Sequence, residues 1–292
     1  MTSADRPALG IGLRVLSGLL MAGMYIAVKA VSEEVPLGQI VFYRSAFALI
    51  PLVIFLWMRR EFPAGLATRR PAAHLLRASF GAVALFASFA AVARLNLAEA
   101  LLIAQLAPIF MAVAAVAFLA ERLTLWRIGG LALGFTGVIV LVWPELSSST
   151  NPNRLIGFGL ALAAAAFTAV ALIMVRSLNK TESPGAIALY FVLASLIGAL
   201  LTRPWGWAEV DGATLLLLIW AGLFGGFGHI AMTLAFRYAE ASRLAPFEYI
   251  ALLWPLFADV LLFQLPLAPA FLLAAPLILA GAAFAALERP GR

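Results

Sequence analysis

The sequence predicts an all-helical integral membrane protein with ten transmembrane helices, arranged as two inverted five-helix repeats. Three observations carry that expectation. The first is composition. Of 292 residues, 64% are hydrophobic and 12% charged, with a mean hydropathy of +1.03, whereas a soluble domain is about half apolar and roughly 25% charged. The second is run length. Ten helices of about 21 residues, enough to cross a hydrocarbon core of about 30 Å, use about 210 residues and leave about 82 for loops and tails, with no room for a soluble domain. The third is an ordered series of matches between the two halves of the chain.

The composition excludes a cytosolic enzyme, a secreted binding module and a nucleic-acid protein. The net charge of +6 and pI near 10.3 would suggest nucleic acid on a soluble chain. Here they read as the arginine excess that fixes membrane orientation. The chain has no cysteine, so a disulfide framework, a thiolate zinc site and a cysteine nucleophile are all excluded.

Apolar runs bounded by Gly, Pro or charged clusters place the spans at 9–31, 37–58, 74–93, 98–119 and 125–143. In the second half they fall at 155–175, 184–202, 214–236, 244–264 and 269–287. Lipid admits only helices or closed barrels, and unbroken runs of about 20 residues, rather than ten-residue alternation, choose helices. The first run exceeds the apolar core of a signal peptide, about 7–15 residues, and no small-residue cleavage site follows, so it reads as an uncleaved span. The Ser32-Glu33-Glu34-Val35-Pro36 connection carries acid and no base. The next holds Arg59, Arg60, Arg69 and Arg70, with Arg77 just inside span three. Placing the N-terminus in the cytoplasm puts all of the 20 Lys and Arg except Lys29, Arg44, Arg94, Arg154 and Arg203 at the inner face. This is the positive-inside pattern, and it puts both termini in the cytoplasm. The polar stretch 147–153 then joins a first repeat, 1–146, to a second, 154–292.

An offset of 147 aligns Gly12 with Gly159, Lys29 with Arg176, Tyr43 with Tyr190 and Gly134 with Gly281. An offset of 143 aligns Arg94 with Arg237, Ala98 with Ala241 and Glu121 with Gln264. Because five is odd, the second copy enters the membrane from the other side. Secondary transporters use such inverted repeats, with the substrate site near the midplane at the repeat interface.

The chain resembles the EamA-type transporters of the drug/metabolite superfamily. The likeness lies in Phe42-Tyr43-Arg44, Leu119-Ala120-Glu121-Arg122 and Gly134-x-x-Gly137. In the second half it lies in Arg237-Tyr238-Ala239-Glu240-Ala241-Ser242 and Ala245-Pro246-Phe247-Glu248-Tyr249. It covers nearly the whole chain and is similar above all to the YddG-type amino-acid exporters. The sequence departs from the family at Phe263-Gln264, where Gly-Glu is common. The resemblance implies a central cavity lined by spans one, three, four, six, eight and nine.

Ionisable groups inside a membrane cost at least about 2.5–3.5 kcal/mol, so each is a functional candidate. Counted from the outer ends, Arg44, Asp259 and Lys29 lie at similar depth. An Arg44–Asp259 ion pair with Lys29 snorkelling to water is one reading, and substrate contact or coupling is the other. Glu248, near the inner end of span nine, either pairs with Arg14 or binds substrate or a proton. Glu248 and Asp259 are eleven residues apart, three turns plus about 20°, and Pro255 shares their stripe. The equivalent stripe of span four holds Gln105 and Pro108. Each proline frees the carbonyl four residues earlier, Ala104 or Ala251, and both are expected hinges. His229 reads either as a core histidine or as a substrate contact. Tyr25, Phe86, Tyr249 and Trp254 are candidates for an aromatic cavity wall. Trp143, Trp205 and Trp207 read as interfacial anchors, and the glycines at 130 and 134 and at 222–228 as close helix contacts.

No phosphate loop, H-E-x-x-H or G-x-S-x-G motif is present, and no metal site, cofactor or enzymatic activity is expected. The sequence therefore points to a secondary transporter of the inner membrane. It would export small metabolites, above all aromatic or neutral amino acids, by alternating access. Its partners would be the small-molecule substrate and the lipid bilayer, with no nucleic acid, and a monomer suffices. A drug or nucleotide-related metabolite carrier is the nearest alternative, and an intramembrane enzyme acting on lipid the more distant one.

Overall fold

The structure is a computed structural model that describes residues 6–63, 66–111, 113, 125–148, 151–179, 181–239, 244, 247 and 251–286. The described residues are helical and joined by short turns. The helices are α1 (Pro7–Val31), α2 (Leu37–Met58), α3 (Pro71–Val92), α4 (Leu97–Ala104), α5 (Leu125–Ser148), α6 (Pro152–Leu178), α7 (Pro184–Leu200), α8 (Gly212–Tyr238), α9 (Leu253–Leu261) and α10 (Pro269–Ala286). Seven of them, α1, α2, α3, α5, α6, α7 and α8, are long and apolar enough to cross a membrane. Large apolar side chains face outward on them, among them Leu19, Ile54, Leu76, Ile139 and Leu200. A continuous apolar exterior of this kind requires lipid.

Start signals match the sequence. Pro sits in the first helical turn of α1, α3, α6 and α7, where its missing N–H costs nothing. Asp211 caps α8 by accepting from the Thr214 N–H at 2.8 Å, and this hydrogen bond, together with one from the Thr214 hydroxyl, holds its carboxyl below the usual range.

The fourth and ninth expected spans are interrupted. α4 stops at Ala104, turns at Gln105 and Leu106, and resumes to Met111, while α9 begins after a turn at Ala251 and Leu252. Both breaks fall two to four residues before a proline, Pro108 or Pro255, where the ring denies the backbone its bond. Beyond the end of α9, Gln264 takes φ +52°, and the Leu265 N–H closes onto the Asp259 carbonyl at 2.8 Å. This left-handed position usually takes glycine.

Packing runs between the halves of the chain. α1 lies mainly on α8 and α3 on α6. α2 contacts α7 and α8, α3 contacts α7, and α5 pairs with α10. α4 touches α6 and α9, and α1 touches α9. Small residues set these crossings. Gly222 and Gly226 seat α8 against Phe47, Ala48 and Pro51 of α2, while Gly225 and Gly228 face Met24 and Met21 of α1. The Ser17 hydroxyl donates to the Gly228 carbonyl at 2.8 Å. At the α5–α10 crossing the two aligned glycines meet: a Cβ on Gly281 would stand 2.6 Å from the Gly134 nitrogen and 2.7 Å from the Gly130 oxygen. Backbone cannot step aside as a side chain can. Gly281→Ala is therefore expected to cost about 3 kcal/mol, or roughly 6–10 °C in a detergent thermal-shift assay; an unchanged melting temperature would contradict this crossing.

Candidate functional site: an arginine-lined cavity

A cavity of about 660 Å³ opens between α2, α3, α6, α7 and α8. Its rim carries Arg59, Glu61, Asn179 and Arg237, and its inner wall carries Arg44, Arg77, Phe191 and His229. Between them the wall is apolar, formed by Leu52 and Phe55 of α2, Leu172 of α6, Val192 of α7 and Met232 of α8. Spans one, four and nine, expected to line the cavity, supply none of its described wall, and spans two and seven line it instead.

Arg44 lies at the inner wall. It is 1% exposed, and its Nε and Nη1 have no hydrogen-bond partner among the described residues. Gly225 makes room for it, since a Cβ there would sit 3.2 Å from both Nε and Nη2. Arg77 of α3 also lines the cavity with Nε and Nη1 buried and unpartnered. Its guanidinium stands over the Phe191 ring, 4.6 Å from the centroid, an arrangement that holds the plane by cation–π attraction. Buried donors left without acceptors are costly, and two such guanidiniums facing one cavity offer complementary donors to an anionic group. Glu61, the one acid on the described wall, accepts from Arg59 Nε at 2.9 Å.

The sequence-predicted residues separate into groups. Arg44 and His229 reach the cavity. Tyr25 donates to or accepts from Ser88 at 3.2 Å and meets Phe89 edge-on, while Phe86 packs into the core. Gln105 forms the break after α4, and Trp254 is half-buried with an unpartnered Nε1. None of these four lies on the cavity wall. Glu248 and Tyr249 lie outside the described residues. Arg77 is the residue that sequence reasoning missed, since, placed just inside span three, it was counted only among the inner-face charges that set orientation.

The Arg44–Asp259 pair does not form. Asp259 is 0% exposed and accepts from the N–H groups of Leu97 and Ala98 at 2.9 and 2.7 Å, capping the first turn of α4 from α9. A helix N-terminus offers free donors and positive potential, which here replace the arginine. Lys29 does not snorkel to water. Its Nζ donates to the Val92 and Leu95 carbonyls at 2.9 and 2.8 Å, at the C-terminal end of α3, where cations are favoured. Nearby, Glu99 closes a capping box with Asn96 and takes both oxygens to Arg154 Nη2 at 3.0 Å, while Arg154 Nε reaches Glu145 at 2.6 Å. These contacts tie α1, α3, α4, α5, α6 and α9 together at the end of the molecule opposite the arginine rim. Trp207, expected at the interface, packs on Phe42 and donates to Thr202.

Comparison with known proteins gives this arrangement a family. The sequence model of the EamA-like transporter family matches residues 8–143. The pseudopaline exporter CntI of Pseudomonas aeruginosa is 31% identical over 84% of this chain and 84% of its own. A riboflavin transporter of Rhizobium johnstonii is 28% identical over 96% of this chain and 91% of its own. A protein of known crystal structure superposes with a TM-score of 0.66 at 20% identity, covering 96% of this chain and 98% of that one, a likeness of fold alone. With long apolar helices, a cavity between them and relatives named as transporters, the chain belongs to the EamA-like transporter family and is a membrane transporter rather than an enzyme.

Proposed function

We propose that the protein is a secondary transporter of the inner membrane that exports small carboxylate-bearing metabolites, amino acids first among them. Arg44 carries this reading: a buried guanidinium with free Nε and Nη1 on the wall of a 660 Å³ cavity is complementary to a carboxylate, which takes the fork of donors two at a time. The volume falls within the range of ligand pockets, about 300–1,000 Å³. The cavity opens on the side bearing Arg59 and Arg237, which the positive-inside pattern assigns to the cytoplasm together with both termini. Loading from the cytoplasm suits an exporter, as does the exporter named among the relatives.

Ten spans in two inverted repeats, 1–146 and 154–292, are the architecture we infer. Exchanging α1–α5 for α6–α10 turns the α1–α8 contact into α6–α3, α2–α8 into α7–α3 and α1–α9 into α6–α4. It leaves α2–α7, α4–α9 and α5–α10 in place. Alternating access would then close the arginine rim and part the contacts at the opposite end, with the breaks before Pro108 and Pro255 absorbing the bend. Gln105 and Trp254 would meet cargo only on the other side of that cycle.

The test is counterflow in proteoliposomes. Radiolabelled leucine and phenylalanine are expected to exchange, whereas leucinamide, which lacks the carboxylate, is expected to move at least tenfold more slowly, the equivalent of one charge-assisted hydrogen bond. Equal flux of leucine and leucinamide would sink the carboxylate reading, and flavin flux without amino-acid flux would favour the larger cargo named for the Rhizobium relative.

A further inference from the structure

The cavity holds more positive charge than one carboxylate requires. Arg44 reaches it from α2 and Arg77 from α3, each with Nε and Nη1 buried and without a hydrogen-bond partner among the described residues. His229 of α8 lines the same cavity. The acid on the described wall, Glu61, is engaged with Arg59 at the rim. A cargo with one carboxylate satisfies one guanidinium and leaves the other desolvated. Arg77 is also held in place: stacked on Phe191 and packed beside Gly81, whose Cβ position would lie 3.3 Å from Nη1, it presents a fixed face of donors. Arg44 is held by Met24, Gly225 and the α2–α8 crossing. Two separate, oriented guanidiniums on different helices suit two acidic groups separated by a carbon chain.

We propose that Arg44 and Arg77 form a two-point anion site and that the preferred cargo is a small dicarboxylate, one acidic group for each guanidinium. This rests on the carboxylate reading above and narrows its substrate class. Loading such a cargo neutralises both arginines at once. A monocarboxylate such as glutamine is carried with one arginine unsatisfied, hence more slowly. The aromatic ring under Arg77 keeps its fork aimed into the cavity in the absence of cargo.

The experiment is counterflow with two matched pairs, glutamate against glutamine and succinate against succinamate, in the wild type, Arg77→Gln and Arg77→Lys. Within each pair only the second carboxylate changes. Wild-type protein is expected to favour the dicarboxylate about tenfold in each pair, the free-energy equivalent of about 1.4 kcal/mol. Arg77→Gln is expected to bring both ratios close to one by slowing the dicarboxylates more than their amides. Arg77→Lys, which keeps the charge but not the fork, should restore part of each ratio. A merely structural arginine would slow every compound alike and leave the ratios at their wild-type values. Wild-type ratios near one, or ratios unmoved by Arg77→Gln, overturn the two-point site while the leucine and leucinamide comparison still stands. If the glutamine variant proves too unstable to reconstitute, the lysine variant decides: a ratio identical to wild type in both pairs removes the second anchor.

Discussion

Arg44→Gln cuts counterflow of carboxylate-bearing amino acids by about 100-fold and leaves the protein at least as heat-stable as the wild type. The first half follows from two lost charge-assisted hydrogen bonds at about 1.5–3 kcal/mol each, at about 1.4 kcal/mol per tenfold. The second half follows from burial. A guanidinium that is 1% exposed, with two nitrogens lacking a partner, costs stability in the empty protein, and a neutral amide of smaller size relieves that cost. Binding sites commonly hold such a trade between stability and function. Arg44→Lys keeps the charge but loses the planar fork and is expected to fall between the two. Parallel counterflow and melting curves on purified protein check both halves. A variant that loses flux only because it melts earlier would show Arg44 to be a packing element, and wild-type flux would remove it from the mechanism.

Asp259→Ala is expected to have the largest effect on stability, a loss of roughly 2–5 kcal/mol. The carboxylate is buried and satisfies two N–H groups of α4 at 2.9 and 2.7 Å. Each donor left buried without an acceptor costs about 1–3 kcal/mol. Asp259→Asn keeps one acceptor oxygen and should lose about half as much. The variant should also loosen the end of the protein away from the arginine rim, because α9 grips α4 there. The chain has no cysteine, so a single introduced thiol reports cleanly. An Ala98→Cys reporter is expected to resist a membrane-impermeant maleimide in the wild-type background and to react in Asp259→Ala. Equal protection in both would show that the cap does not hold that end shut.

The spans were legible because lipid leaves the backbone no alternative to helix over a long apolar run, and the boundaries of α2 and α8 fall within two residues of the expected ones. The breaks at Gln105 and at Ala251 were legible through Pro108 and Pro255, whose chemistry names the carbonyl it frees. Arg44 was legible as a charge with no business in lipid. Arg77 was not, because α3 begins at Pro71, about one turn earlier than hydropathy suggests. That extra turn sets Arg77 deeper inside α3, where it reaches the cavity wall. The partners of Asp259 and Lys29 were hidden for a different reason. Each binds main-chain groups, the N–H groups opening α4 and the carbonyls closing α3, and the backbone has no letter in a sequence. Counting depth along helices brings Arg44 and Asp259 level, but α9 ends at Leu261, so Asp259 lies within one turn of its end, beyond the reach of Arg44.

The paired guanidiniums also make the empty carrier a charged object in the electric field of an energised membrane. Moving one elementary charge across a potential of 100 mV, negative inside, is worth about 2.3 kcal/mol, and part of the way costs a share of that. The outward step carries an anionic passenger that cancels the charge, and the return toward the inside with Arg44 and Arg77 bare runs with this field. The voltage should therefore speed net release, and collapsing it with an ionophore should slow net release more than exchange of one passenger for another.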